Sequence, residues 1–327
     1  MNGRPREAVR HLRAFVFAWL ARLSDRRVGL VLVYHGVADE TGDARTEIVP
    51  AIGAGALERH VRHLRRRYRL VPPASIPEAV AARRRGRRIP VALTFDDDLT
   101  SHATNAAPIL RRLSAPAAFY VCGASLEAPH RFWWEDLQEA IDGRLVTAAD
   151  LPGLPPDLVD GALARAERAA AHLAAAVEEL TPAARVGLTR ALRARTGPAP
   201  KEAGLRATAV RGLVDAGFEL GFHTLRHDRL PPLDEDGLAA ALDDGRGRLE
   251  AAAGRALTSI SYPHGRADAR VAAAARSARF EVGFTGGERA ATPRDEPLLL
   301  PRIQPTFGTQ GSFAVQIARF ASGLLAP

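Results

Sequence analysis

The sequence is short of several things, and each shortage excludes something. It has one cysteine, Cys122 in the apolar stretch AFYVCG, so no disulfide can form within the chain and no oxidising compartment is implied. Lysine is all but missing: Lys201 is the only one, and the formal charge of +8 comes almost wholly from arginine. Aromatic residues make up 6% of the chain, and the two basic runs, HLRRRYRL (63–70) and RRRGRR (83–88), contain only Tyr68 among them. A nucleic-acid groove needs stacking platforms between its charges, so nucleic acid is not an expected partner. Those runs read as a solvated helix face and a basic turn, or as attraction for anions such as a membrane surface or a pyrophosphate-linked glycan.

Long apolar runs are absent too. The best candidate, Ala14 to Ala21 within REAVRHLRAFVFAWLARL, is eight residues, too short to span a bilayer. The RLSDRR that follows supplies no small-residue cleavage site of a signal peptide. An amphipathic N-terminal helix over residues 1–27 is expected instead. It would pack on the domain or rest on a membrane surface, where Phe15, Phe17 and Trp19 with their arginine flanks would suit. The expected location is cytoplasmic, peripheral to the membrane in the second of these alternatives.

What is present is a large apolar fraction, 46%, with about a quarter of residues charged, which fits a globular protein with a sizeable core. Short β-rich runs fall at 28–35, 89–95, 116–122, 218–223, 258–263, 280–285 and 298–303. Helical patterns lie between them at 56–67, 103–113, 207–217, 236–254 and 267–279. Near-continuous apolar strands alternating with helices predict an α/β fold with parallel strands. One connection is too long for a simple crossover: roughly ninety residues part Cys122 from Phe218. Its Ala- and Arg-rich middle predicts a helical insertion over about 125–203, entered through RFWWEDL (131–137). A further helix is expected over 311–327.

The chemistry gathers at strand ends, where parallel α/β folds place functional groups. VALTFDDDLTSH (91–102) puts three adjacent carboxylates, Asp96, Asp97 and Asp98, at the close of an apolar run. Adjacent like charges raise one another's pKa unless something holds them. FELGFHTLRH ends another run with His223 and His227, four apart, a spacing that a helical turn would place on one face. Two imidazoles and one carboxylate leave a position open for water, the layout of a catalytic divalent metal such as zinc. A second aspartate could then accept the proton of the attacking water.

TFDDD and HTLRH, with SYPHG (261–265) further on, resemble the ordered motifs of the polysaccharide deacetylases, the family-four carbohydrate esterases. The resemblance covers roughly residues 28–310, and LVYHG (32–36) is similar to the branch that deacetylates biofilm poly-N-acetylglucosamine. It implies a distorted (β/α)7 barrel and hydrolysis of a sugar acetamide with release of acetate. The substrate would be an N-acetylated glycan or a lipid-linked sugar. Carried over, Asp97, His223 and His227 would hold one divalent metal ion, with Zn2+ the expected one, and Asp96 would be the base. The backbone amide of His264 would help to bind the oxyanion. Trp133 and Trp134 either offer ring faces to a sugar or pack the insertion onto the barrel, and Tyr262 within the third motif is a further substrate-binding candidate.

The chain departs from that pattern in three places. Asp98 stands where the family has glycine and reads as a spectator at the rim. Ser261 stands where the third motif often has arginine, so Arg302 in LLLPRI is the candidate to pair with Asp96. The family's C-terminal Leu-x-His is absent, since no histidine follows His264. His35 and His264 are therefore the candidates for general acid. Two rival readings remain. FDDDLT also fits the Asp-x-Asp-x-Thr loop of magnesium-dependent phosphatases through Asp96, Asp98 and Thr100. The other rival is a catalytically impaired barrel that only binds glycan.

Overall fold

The computed structural model describes residues 3–43 and 45–323. Every apolar run singled out as a strand forms one. They are β1 (Leu30–Tyr34), β2 (Pro90–Asp96), β3 (Ala118–Val121), β4 (Glu219–Phe222), β5 (Ser259–Ser261), β6 (Val282–Thr285) and β7 (Leu300–Pro301). They pair in that order, all parallel. Ile303 then closes the ring on β1: its N–H donates to the Val31 carbonyl at 2.8 Å, and its own carbonyl accepts from the Val33 N–H at 3.1 Å. This is the expected nearly closed seven-stranded (β/α) barrel.

Side-chain parity decides what reaches the barrel mouth. Successive residues of a strand face opposite ways. In β2, Val91, Leu93 and Phe95 join the core between strands and helices, while Ala92 faces the interior with Val31, Ala118, Tyr120 and Phe284. Asp96 shares the parity of Ala92 and so turns inward at the end of its strand. Tyr120 fits inside because Gly221 stands beside it; a Cβ there would lie 2.2 Å from the ring.

Around the barrel run α1 (Gly3–Leu23), α2 (Ala54–Arg67), α3 (Ile76–Ala81) and α4 (Ala107–Arg112). The insertion supplies α5 (Trp133–Asp142), α6 (Pro156–Leu163), α7 (Ala169–Glu178) and α8 (Pro182–Thr196). Then come α9 (Ala207–Asp215), α10 (Glu235–Asp243), α11 (Arg246–Ala253), α12 (Ala269–Ser277) and α13 (Gln310–Ser322). The four insertion helices build a core of their own around Leu137, Ile141, Leu173, Val177 and Leu192. The single helix expected over 236–254 is broken at Gly245, whose φ of +77° is left-handed. The break lets Leu225 pack against that glycine. The C-terminal helix is α13; residues 324–327 lie outside the described residues.

α1 packs against α13, with Ala14 against Ala314 and Ala318, while Ala21 joins the main core. Phe17, expected on the same outward face as Phe15 and Trp19, is half-buried on this side instead. Its position on the helix puts it nearer the alanines than the outward stripe.

Asp98 also departs from expectation. It is no rim spectator: only 2% of it is exposed, and its carboxylate collects the loop that leaves β3. Oδ1 accepts from the Cys122 and Gly123 N–H groups at 2.7 and 3.0 Å. Oδ2 accepts from the Ser125 N–H at 3.1 Å and its hydroxyl at 3.0 Å. Burial pushes the Asp98 carboxyl up, against the pull of these donors. Asp98→Ala strips a whole loop of its acceptor and is expected to cost about 3 kcal/mol in urea unfolding. A solvated spectator would cost no more than about 0.5 kcal/mol.

Candidate active site

The end of β2 and the chain just after it carry the two carboxylates that matter. Asp96 is held across the barrel by Arg302, which follows β7. The pairing is bidentate, Nη1 to Oδ1 at 2.8 Å and Nη2 to Oδ2 at 2.7 Å. The Ser261 hydroxyl donates to Oδ2 at 2.9 Å. Burial pushes the Asp96 carboxyl up, but the Arg302 charge and its hydrogen bonds, with His223, outweigh it and hold it at about 2. It is ionised across the neutral range. The third-motif serine thus takes part where the family's arginine is missing.

Asp97 sits in the left-handed region, with φ of +78°, which turns its side chain away from that of Asp96. Its Oδ1 lies 3.5 Å from Nε2 of His223 and 3.5 Å from Nε2 of His227. That buried oxygen has no hydrogen-bond partner among the described residues. His223 is oriented from behind: its Nδ1–H donates to the Ser261 carbonyl at 2.7 Å, which turns the Nε2 lone pair towards Asp97. The two imidazoles do not share a helical face. Residues 223–228 form an irregular turn in which Thr224 and His227 take φ of +56° and +52°, and the ring centroids end 4.9 Å apart. A β-branched threonine in that region is an outlier, and such strain collects at functional sites.

Electrostatics sets the three groups apart. Burial pushes the Asp97 carboxyl up, yet the neighbouring His223, 3.5 Å away, and the charges of His227 and His35 hold it well below the usual carboxylate range. Burial pushes His227 far down, helped by His223 and His264. His223 is lifted above its ordinary value, because Asp96 and Asp97 outweigh its burial. Asp97, His223 and His227 form the group among the described residues that could hold a metal, their ligating atoms all within 4.8 Å of one another. An orphaned carboxylate oxygen facing two imidazole nitrogens fits a divalent cation.

These groups line a cavity of about 280 Å³ together with His35, Trp133, Trp134, Glu178, His264 and Arg302. His264 takes a left-handed φ of +58° after Pro263. Its Nδ1 lies 3.1 Å from Oε1 of Glu178, at the end of α7, and its ring centroid lies 4.6 Å from that of His227. Its buried Nε2 has no partner among the described residues. The Glu178 carboxyl is pushed up by burial but brought below its ordinary value by His264. Nothing in AAAVEEL marks Glu178 in the sequence, because its contact with His264 exists only once the insertion folds back over the mouth.

Both indoles face the cavity and also pack the insertion. Trp134 lies 4.6 Å from the His227 ring and stacks on Phe132 at 4.5 Å, while Trp133 meets it edge-on. Tyr262 does not reach the site. It has the outward parity of Ile260 and is fully buried in the core between strands and helices, so its expected contact with substrate is corrected. The phosphatase reading fails on geometry as well. Asp98 is spent on the β3 loop, and the Thr100 hydroxyl bonds to the Gly204 carbonyl at 2.9 Å rather than turning to Asp96. Cys122 is buried, and burial pushes its thiol far up, so it is no nucleophile.

A family model described as polysaccharide deacetylase matches residues 83–159 and 164–283, more than half of the chain. Among solved structures, the chain is similar to a Streptococcus pyogenes deacetylase, PplD, in complex with acetate. The TM-score is 0.58 at 16% identity, covering 88% of this chain and 97% of that one. It is similar to IcaB from Ammonifex degensii, with a TM-score of 0.56 at 17% identity over 91% and 98% of the two chains. It also resembles BC0361, a polysaccharide deacetylase from Bacillus cereus, at 0.56 and 17% over 89% and 69%. A comparison with curated proteins finds no match. At such identities the solved structures speak for the barrel, and the family model speaks for the chemistry built on it. The chain belongs to the polysaccharide deacetylase family of carbohydrate N-deacetylases.

Proposed function

We propose that this protein hydrolyses the acetamide of an N-acetylhexosamine in a glycan, releasing acetate and leaving a free amine. Asp97, His223 and His227 would hold one divalent cation, zinc in this reading. The observation that carries it is the buried, unpartnered Oδ1 of Asp97 facing two imidazole nitrogens, beside a second carboxylate kept ionised. A cation bound there supplies Lewis-acid polarisation of the acetamide carbonyl and makes water more acidic. The substrate class rests on the family, on the LVYHG resemblance and on the Trp134 ring face at the cavity wall.

The chain's own residues divide the rest. Oδ1 of Asp96 accepts one hydrogen bond, from Arg302, and keeps a lone pair for the proton of the water attacking the acyl carbon. Arg302 and Ser261 fix that carboxylate in place. When the carbon–nitrogen bond breaks, the leaving nitrogen needs a proton. His264 is our general acid: Glu178 engages Nδ1, which aims the unpartnered Nε2 into the cavity. His35, at the end of β1, lines the same cavity and is the alternative.

Acetate release from a panel of N-acetylated glycan oligomers is the test. Turnover should vanish with chelator and return with zinc, and His223→Ala should lose the metal measured by mass spectrometry. A panel with no turnover in the metal-loaded enzyme would support a barrel that only binds glycan. Asp96→Asn should keep the metal and lower turnover by about a hundredfold or more.

The pH profile has a definite sign. Burial raises the Asp96 carboxyl and Arg302 lowers it. Removing the charge in Arg302→Gln should therefore move the acid limb of activity to higher pH, losing more rate at pH 5 than at pH 8. An unmoved limb would detach Arg302 from the base.

The acid is assigned by leaving group. His264→Ala should cost about a hundredfold on an acetamide and far less on an aryl acetate, whose leaving group needs no proton. Glu178→Gln should show a smaller loss of the same kind. The same discrimination in His35→Ala, with His264→Ala neutral, would transfer the role to His35.

A further inference from the structure

α1 turns its small residues in and its large apolar residues out. Ala14 is 3% exposed and Ala21 1%; seven residues apart, they share the buried face of the helix, where Ala14 meets α13. On the outer side, Val9, Leu12, Val16, Trp19 and Leu23 recur at spacings of three and four, which makes one continuous stripe. Leu12 is 64% exposed, Val9 56% and Trp19 52%. Phe15 and Leu20 widen it on either side. Single exposed apolar residues need no explanation, but a contiguous face of this kind marks an interaction surface. No helix among the described residues is long and apolar enough to cross a membrane, so a stripe of this kind would lie along an interface.

The rim says what covers it. Arg13 and Arg22 are exposed on opposite flanks of the stripe. The guanidinium of Arg67 lies over the Phe15 ring, 4.9 Å from its centroid. Arg22 and Gly86 exchange hydrogen bonds at 2.7 and 2.8 Å, which brings the exposed Arg84, Arg85 and Arg87 to the end of the helix. Arg83, itself buried, clamps that end by donating to the carbonyls of Ala21, Arg22, Ser24 and Arg26. Both basic runs of the sequence, which the hydrolysis does not use, are thus tied to this one face.

Charge decides between occupants. The one acidic residue of α1 is Glu7, and it is spent on the Thr309 hydroxyl and the Gly311 N–H of α13's first turn. A second copy would bring one arginine rim against another. An anionic lipid surface satisfies the apolar stripe and the cations together. We propose that α1 and the two arginine runs form a docking surface for an anionic bilayer, with α1 lying in the plane of the headgroups. This stands independently of the reaction proposed above.

The full-length chain is tested by co-sedimentation with vesicles of phosphatidylcholine, alone or with about a third phosphatidylglycerol. Binding to the anionic vesicles should be about tenfold stronger than to the neutral ones. It should weaken as salt rises past physiological strength, where exposed charges are screened. Leu12→Asp/Trp19→Asp should lose the binding and keep acetate release and melting temperature. Should that variant unfold, Arg84→Glu/Arg85→Glu, which leaves the helix untouched, should lose the preference for anionic vesicles. Equal binding by wild type and variants overturns the proposal. So does self-association through α1, seen by velocity sedimentation, without vesicle binding.

Discussion

Three carboxylates cannot stand side by side in a buried strand end unless each is answered from a different direction. That constraint organises the molecule. Asp96 is answered from across the barrel by Arg302, Asp97 by the imidazoles that follow β4, and Asp98 by the N–H groups that follow β3. All three are nearly fully buried. Losing one partner of a buried charge costs several kcal/mol, about 3–5 by general experience, so these answers come as a set. The end of β2, the residue that follows β7 and the turns after β3 and β4 are tied together by one tripeptide.

The partners differ in kind, and that difference is the chemistry. A bidentate guanidinium and a serine hydroxyl leave Asp96 ionised and fixed, which the base role proposed for it requires. Four neutral donors make Asp98 a structural anchor. Asp97 receives nothing but two imidazole nitrogens, one of them turned by the Ser261 carbonyl. The backbone adopts costly conformations to achieve this, at about 1–3 kcal/mol for each strained residue. Asp97, Thr224, His227 and His264 are all left-handed and all lie at the mouth. The insertion completes the arrangement from outside, with Trp134 against His227 and Glu178 against His264.

Much of this was legible in the sequence, for a physical reason. Parallel strands covered on both faces must be apolar runs, so all seven showed, and a charge cluster at the end of such a run is conspicuous. Asp96, Asp97, His223 and His227 stood out for that reason, and Arg302 followed from the question of what answers Asp96. Four features did not show. Strand parity sends Tyr262 outward, and a run ending at a proline does not reveal which residue is last in register. The histidine spacing reads as a helical turn, where left-handed residues make the same meeting by another path. The burial of Asp98 depends on Ser125, and the value of Glu178 on His264. Those partners meet only through tertiary structure, and no local pattern encodes them.

The central claim is that the three aspartates have three separate partners and that Asp97 alone is reserved for a cation. Thermal unfolding of metal-free protein with and without added zinc tests it directly, because a ligand that binds the folded chain raises its stability by mass action. The account predicts that zinc raises the melting temperature of the wild type and of Asp98→Asn, the latter starting from a lower value. Asp97→Asn should show no rise at all. An equal rise in wild type and Asp97→Asn would contradict it.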